Sequence, residues 1–112
     1  MFSALLTDKK KIEIIQLDRP SCKDNEILVK MFFSGVCGSD LSTYRGLHPY
    51  KKPPVILGHE GSGKIVEVGR LVKNFEVGDR VCIQSFIPCR KCSDCKNGMH
   101  NLCNNKKILN HK

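Results

Sequence analysis

The 112-residue chain has no tryptophan, only two tyrosines and five phenylalanines. It also lacks a long apolar run. No stretch approaches the roughly 20 residues that a membrane-spanning helix needs, so no membrane partner is expected. The first apolar stretch, Met1 to Leu6, is followed rather than preceded by charge, and it is too short for a secretory signal core. The expected location is therefore the cytoplasm. Acidic residues are scarce, with 11 Asp and Glu against 19 Lys and Arg and a formal net charge of +8. Yet no basic run is longer than Lys9 to Lys11. This excess reads as a solvated basic surface, and no nucleic-acid partner is expected. The apolar share of 40% fits a folded chain rather than a disordered one. The length allows one domain or part of one, with a small core. There is no internal repeat and no low-complexity segment.

Short strands dominate the pattern. Phe2 to Leu6 is a short apolar run, and Lys11 to Leu17 alternates with period two. Asp18-Arg19-Pro20 interrupts that strand. Glu26 to Phe33 predicts another, ended by Gly35. Ser39 to Tyr44 predicts a short helix, capped by Ser39 or Asp40 and stopped by Gly46. His48 to Pro54 reads as a proline-rich loop, and Val55 to Leu57 leads into Gly58-His59-Glu60-Gly61. Ser62 to Val68 and Arg80 to Gln84 read as strands on either side of a turn at Val77-Gly78-Asp79. Pro88 to Lys112 reads as a polar loop. Such a pattern predicts a mainly β fold, a small barrel or sandwich. A loop as long as the last one needs something to tie it down.

Seven cysteines supply that something. Without a signal sequence, an odd number clustered late in the chain argues for metal ligands rather than disulfides. Cys89, Cys92, Cys95 and Cys103 follow the spacing C-x2-C-x2-C-x7-C. Four thiolates at about 2.3 Å make a closed tetrahedral zinc site, structural because no coordination position is left open. Arg90, Lys91 and Lys96 among them favour thiolate over thiol. The first three cysteines also match a bacterial iron–sulfur run, but the fourth lies too far on and no proline follows it. The lobe at 88–104 contains no aromatic residue, which argues against a zinc-ribbon-like nucleic-acid binder.

Cys37, His59 and Glu60 form a second set. A thiolate and an imidazole are ligands of the kind catalytic zinc sites use. Spacing alone favours a structural role, the commoner one for a lone cysteine and a distant histidine. Four motifs occur in order: Gly35-x-Cys37-Gly38-Ser39-Asp40, Gly58-His59-Glu60-Gly61-x-Gly63, Val77-Gly78-Asp79-Arg80-Val81, and the four-cysteine lobe. Together they closely resemble the N-terminal part of the zinc-containing alcohol dehydrogenases of the medium-chain dehydrogenase/reductase superfamily.

The resemblance implies a GroES-like twisted β-barrel, incomplete at its C-terminal end, with short helices and a zinc-binding loop lobe. It implies that Cys37 and His59 bind a catalytic zinc, with Glu60 as a ligand or beside it. It makes Cys89, Cys92, Cys95 and Cys103 the structural zinc set. It implies that Ser39 hydrogen-bonds the substrate alcohol and passes its proton on, and that Asp40 orients the ligand histidine. The implied reaction is oxidation of an alcohol or polyol polarised by zinc, with hydride passed to NAD or NADP. The full-length relatives are expected to be homo-oligomers.

Two departures shape the expectation. Many relatives carry a histidine where this chain has Ser42. In addition, no G-x-G-x-x-G segment opens a βαβ unit, so a nucleotide-binding Rossmann domain is not expected within these residues. The third catalytic ligand and the barrel-closing strands are expected beyond Lys112. Residues 1–112 thus read as the front part of a catalytic domain: a truncated gene product, an isolated domain or a degenerate paralogue. The competing expectation is an inactive zinc-binding remnant of the fold.

Overall fold

In the computed structural model, which describes residues 1–109, strands dominate as expected and helices are few. Strands β1 (Phe2–Asp8) and β2 (Lys11–Gln16) form an antiparallel hairpin, with Phe2 opposite Gln16 and Leu6 opposite Ile12. Strand β4 (Val55–Ile56) adds to the other side of β1, with Leu6 opposite Val55. A second sheet has the order β3 (Ile27–Gly35), β5 (Glu60–Val68), β6 (Arg80–Cys82). Its register runs from Ile27 opposite Val68 to Gly35 opposite Glu60. Strands β7 (Phe86–Ile87) and β8 (Lys107–Ile108) form a third, two-stranded ladder.

Helix α1 (Gly38–Tyr44) lies where the sequence predicts one, but its N-cap is Cys37 rather than Ser39 or Asp40. The Asp40 carboxylate reaches back to accept the Cys37 backbone N–H, which a cap at Asp40 itself could not do. At the other end Gly46 stops the helix in the left-handed region, φ +71°. The Gly46 N–H donates to the Thr43 carbonyl and the Leu47 N–H to that of Ser42, a closing pattern that favours glycine.

The stretch from Pro88 onwards is more ordered than a polar loop. It holds a one-turn helix, α2 (Ser93–Lys96), a 3-10 turn at His100–Leu102, and β8; residues 110–112 of the expected loop lie outside the described residues. The strand expected to reach Gln84 ends at Cys82.

The core is thin. Leu6, Ile65, Thr43 and Cys103 are fully buried. Phe33 and Val36, at the end of β3 and just after it, are 76% and 74% exposed. The radius of gyration is 15.8 Å, against about 13 Å for a compact domain of this length. Among the described residues the sheets do not close into a barrel, in line with an incomplete barrel.

Candidate functional site

Everything at the first candidate centre converges on Asp40. It sits on the first turn of α1 and is 3% exposed. Its Oδ2 accepts the N–H of Cys37 at 3.2 Å, and its Oδ1 accepts the N–H of Gly58 at 3.3 Å. The same Oδ1 lies 3.6 Å from His59 Nδ1. One carboxylate therefore clips together the two backbone segments that carry Cys37 and His59. A buried carboxylate is costly unless hydrogen bonds and charge satisfy it, and these two N–H groups meet part of that need.

Cys37, His59 and Glu60 are brought together, with their ligand atoms within 4.8 Å of one another. They come from distant parts of the sequence. Cys37 caps α1, His59 precedes β5, and Glu60 opens β5. The cross-strand partner of Glu60 is Gly35. A Cβ on residue 35 would stand 2.6 Å from Glu60 Oε2. The absence of a side chain there is what lets the carboxylate fold back across β3. A thiol, an imidazole and a carboxylate make a three-ligand set of the kind open zinc sites use, so these residues fit such a metal. His59 Nδ1 faces Asp40, which leaves Nε2 as the nitrogen suited to a metal.

His59 and Glu60 line a cleft of about 490 Å³ with Phe33, Gly61, Cys82 and Ile83. Ser39 lies on the first turn of α1, half-buried, two residues after Cys37. Among the described residues lining this cleft it does not appear. Its carbonyl accepts the Thr43 hydroxyl at 2.9 Å.

Lys51 lies outside all four sequence motifs. Its side chain is 9% exposed, and its Nζ lies 3.9 Å from Asp40 Oδ1. The loop that presents it is folded around His48, whose Nδ1 accepts the N–H groups of Tyr50 at 3.2 Å and Lys51 at 2.9 Å. The one signal in the sequence was that Lys51 falls in the loop leading to Gly58-His59.

The second centre is the lobe. Cys89, Cys92, Cys95 and Cys103 place their sulfurs within 4.8 Å of one another. Cys89 and Cys95 are separated by 4.0 Å between sulfurs. Two thiolates on one tetrahedral zinc stand about 3.8 Å apart, given bonds of about 2.3 Å. The four residues thus fit zinc with little movement. The Cys89 thiol is pulled down to about 6, chiefly by the backbone N–H groups of Lys91 and Cys92. Burial is the main cause that pushes Cys95 up to about 12, helped by Cys92 and Cys103. One sulfur is primed as a thiolate, whereas another requires a cation to take its proton's place.

Residues 23–110 match the family described as the alcohol dehydrogenase GroES-like domain. The chain is 41% identical over 98 residues to D-arabitol-phosphate dehydrogenase of Enterococcus avium, covering 87% of this chain and 28% of the relative. It is 40% identical over 106 residues to sorbitol dehydrogenase of Bombyx mori, covering 91% and 30%. Among solved structures it superposes on galactitol-1-phosphate dehydrogenase of Escherichia coli with a TM-score of 0.89 at 30% identity, covering 99% of this chain and 32% of that one. The chain thus spans about a third of the length of these relatives.

Proposed function

Because the chain belongs to the alcohol dehydrogenase GroES-like domain family, we propose that it is the zinc-bearing front part of the catalytic domain of a cytoplasmic dehydrogenase. Its substrate is an alcohol or polyol, and NAD or NADP is its hydride acceptor. The observation that carries this reading is the convergence of Cys37, His59 and Glu60 within 4.8 Å beside an open cleft. The polyol class is supported by relatives named for arabitol phosphate, sorbitol and galactitol 1-phosphate. The reducing compartment is supported by seven cysteines that are all free. No helix among the described residues is long and apolar enough to cross a membrane.

In this reading Cys37, His59 and Glu60 hold one zinc, and Cys89, Cys92, Cys95 and Cys103 hold another. When bound at the first set, zinc supplies the Lewis acidity that lets an alcohol lose its proton near neutral pH, and the nicotinamide takes the hydride. The protein's own residues do the positioning. Asp40 holds the His59 ring through Nδ1 and ties it to the segment bearing Cys37. Ser39 offers a hydroxyl for the departing proton. Phe33 and Ile83 give the cleft an apolar wall beside His59 and Glu60.

The direct test joins residues 1–112 in frame to the remaining two thirds of a sorbitol dehydrogenase relative and follows sorbitol-dependent formation of reduced nicotinamide. The joined protein turns over sorbitol. Residues 1–112 alone do not, because they contain no glycine-rich βαβ turn to hold the dinucleotide. Turnover by residues 1–112 alone, or none by the joined protein, would contradict the proposal.

Two further outcomes follow. Gly35→Ala pushes the Glu60 carboxylate out of its place on β3. The zinc at Cys37 then weakens by roughly tenfold, the lower range for a perturbed ligand environment. The lobe zinc stays unchanged, and competition with a chromophoric chelator separates the two.

The lobe also carries a pH signature. Above about 6 the Cys89 sulfur is already a thiolate and releases no proton when metal binds. Below that value it is protonated, and binding must expel one more proton. The lobe's affinity for zinc therefore falls with acid at a slope that steepens by one power of ten per pH unit below about 6. Competition titrations on either side of that pH measure the slope.

A further inference from the structure

Asp40 explains how Cys37 and His59 are held together, but not how its own charge is tolerated. Two backbone N–H groups and the edge of an imidazole surround it, and it is 3% exposed. Neutral donors offset part of the desolvation of a buried carboxylate, and a neighbouring cation offsets much of the rest. Among the described residues the one lysine or arginine within ion-pair distance of Asp40 is Lys51. Its side chain is nearly as buried as its partner's, at 9% against 4% exposed. A lysine normally keeps its ammonium group in water. This one is turned inward by a loop closed on His48 Nδ1, which fixes the backbone N–H groups of both Tyr50 and Lys51.

We propose that Lys51 is a positioning residue for the metal centre at Cys37, His59 and Glu60. Its ammonium group pins the Asp40 carboxylate on the side where Oδ1 also faces His59 Nδ1 and the Gly58 N–H. Lys51 touches neither substrate nor metal, and its effect passes through Asp40 to the His59 ring. Without it the carboxylate is drawn towards water or a proton, and the ring loses the acceptor that sets its orientation. The inference rests on the proposed metal centre and adds a residue that none of the four motifs contains.

Cobalt(II) is the probe, because its visible ligand-field absorption reports both geometry and occupancy. The whole chain is titrated with cobalt(II). The first equivalent fills the four-thiolate lobe, and the second enters the site of Cys37, His59 and Glu60. Lys51→Met lowers the affinity for the second equivalent by about 10- to 100-fold, the range typical for partners behind a metal ligand. It leaves the first equivalent and the circular dichroism spectrum as in wild type. Lys51→Arg restores the second equivalent to within a few-fold. Asp40→Asn produces a similar loss on its own, and adding Lys51→Met to it costs nothing more, because the two act in series.

A Lys51→Met chain that takes up the second cobalt as wild type does would overturn the proposal. So would full additivity with Asp40→Asn. A wild-type chain that binds only the lobe cobalt would instead refute the centre at Cys37, His59 and Glu60, and the role of Lys51 with it.

Discussion

Cys92→Ser should empty the lobe of metal and unfold it, while leaving the two three-stranded sheets in place. Structural zinc in small four-ligand sites is worth about 10–16 kcal/mol at neutral pH. That binding free energy is also the lobe's folding free energy, so breaking the four-thiolate set costs the lobe its metal and its fold together. Little else holds this segment together. Helix α2 is one turn long and packs mainly against the 3-10 turn of the same lobe. The ladder of β7 and β8 has only two residues on each strand. By contrast, β3 and β5 are nine residues each and pair along most of their length. Amide hydrogen exchange would show protection lost from 88–104 and kept in β3 and β5. Full protection of the lobe in the metal-free variant would rule out a metal-dependent fold there.

Cys37→Ala should abolish turnover in the joined enzyme. Removing a thiolate from a three-ligand set takes the Lewis acid with it, which supplies several kcal/mol of stabilisation to developing charge. A loss of roughly 4 kcal/mol is about a thousandfold in kcat/KM. His59→Ala acts through the same loss and gives a similar value. Ser39→Ala retains the metal and slows turnover by less, since only the proton's path is impaired. The lobe zinc remains in all three variants, so loss of activity is separable from loss of fold. A Cys37→Ala enzyme with more than a tenth of wild-type kcat/KM would remove this residue from the chemistry.

The sequence shows some of this architecture clearly and some not at all, and range along the chain is the dividing line. The alternation in Lys11 to Leu17 and the apolar run in Glu26 to Phe33 predict β2 and β3, because strand period is a local property. The cysteines of the lobe are similarly legible, since C-x2-C steps put two sulfurs on one side of a turn. By contrast β4, β7 and β8 have two residues each and are shorter than any periodic signal. Helix α2, at four residues, is equally silent. It is ordered by the cysteines around it rather than by its own propensity.

The set of Cys37, His59 and Glu60 stands between these cases. Cys37 and His59 lie 22 positions apart, and no period connects them. Only the resemblance of the surrounding motifs joined them, and the sheet of β3 and β5 supplies the physical reason. Its register puts Gly35 opposite Glu60 and so brings the two motifs side by side. The N-cap is displaced to Cys37 because the Asp40 side chain is engaged in bonding backward, a choice that propensity at a single position does not reveal. Lys51 is the least legible. Its role depends on a loop folded on His48 and on a carboxylate from another element, neither of which a linear reading can place.

The central claim is that these residues form a metal-bearing catalytic fold, and the zinc content of the chain purified without added metal tests it most directly. About one tightly held zinc per chain is expected, removed by Cys92→Ser, and a second, weaker zinc that mild chelation takes first. The second is weaker because its three ligands leave the coordination shell open. No zinc at all, iron with visible charge-transfer absorption, or one zinc that survives Cys92→Ser would contradict the account.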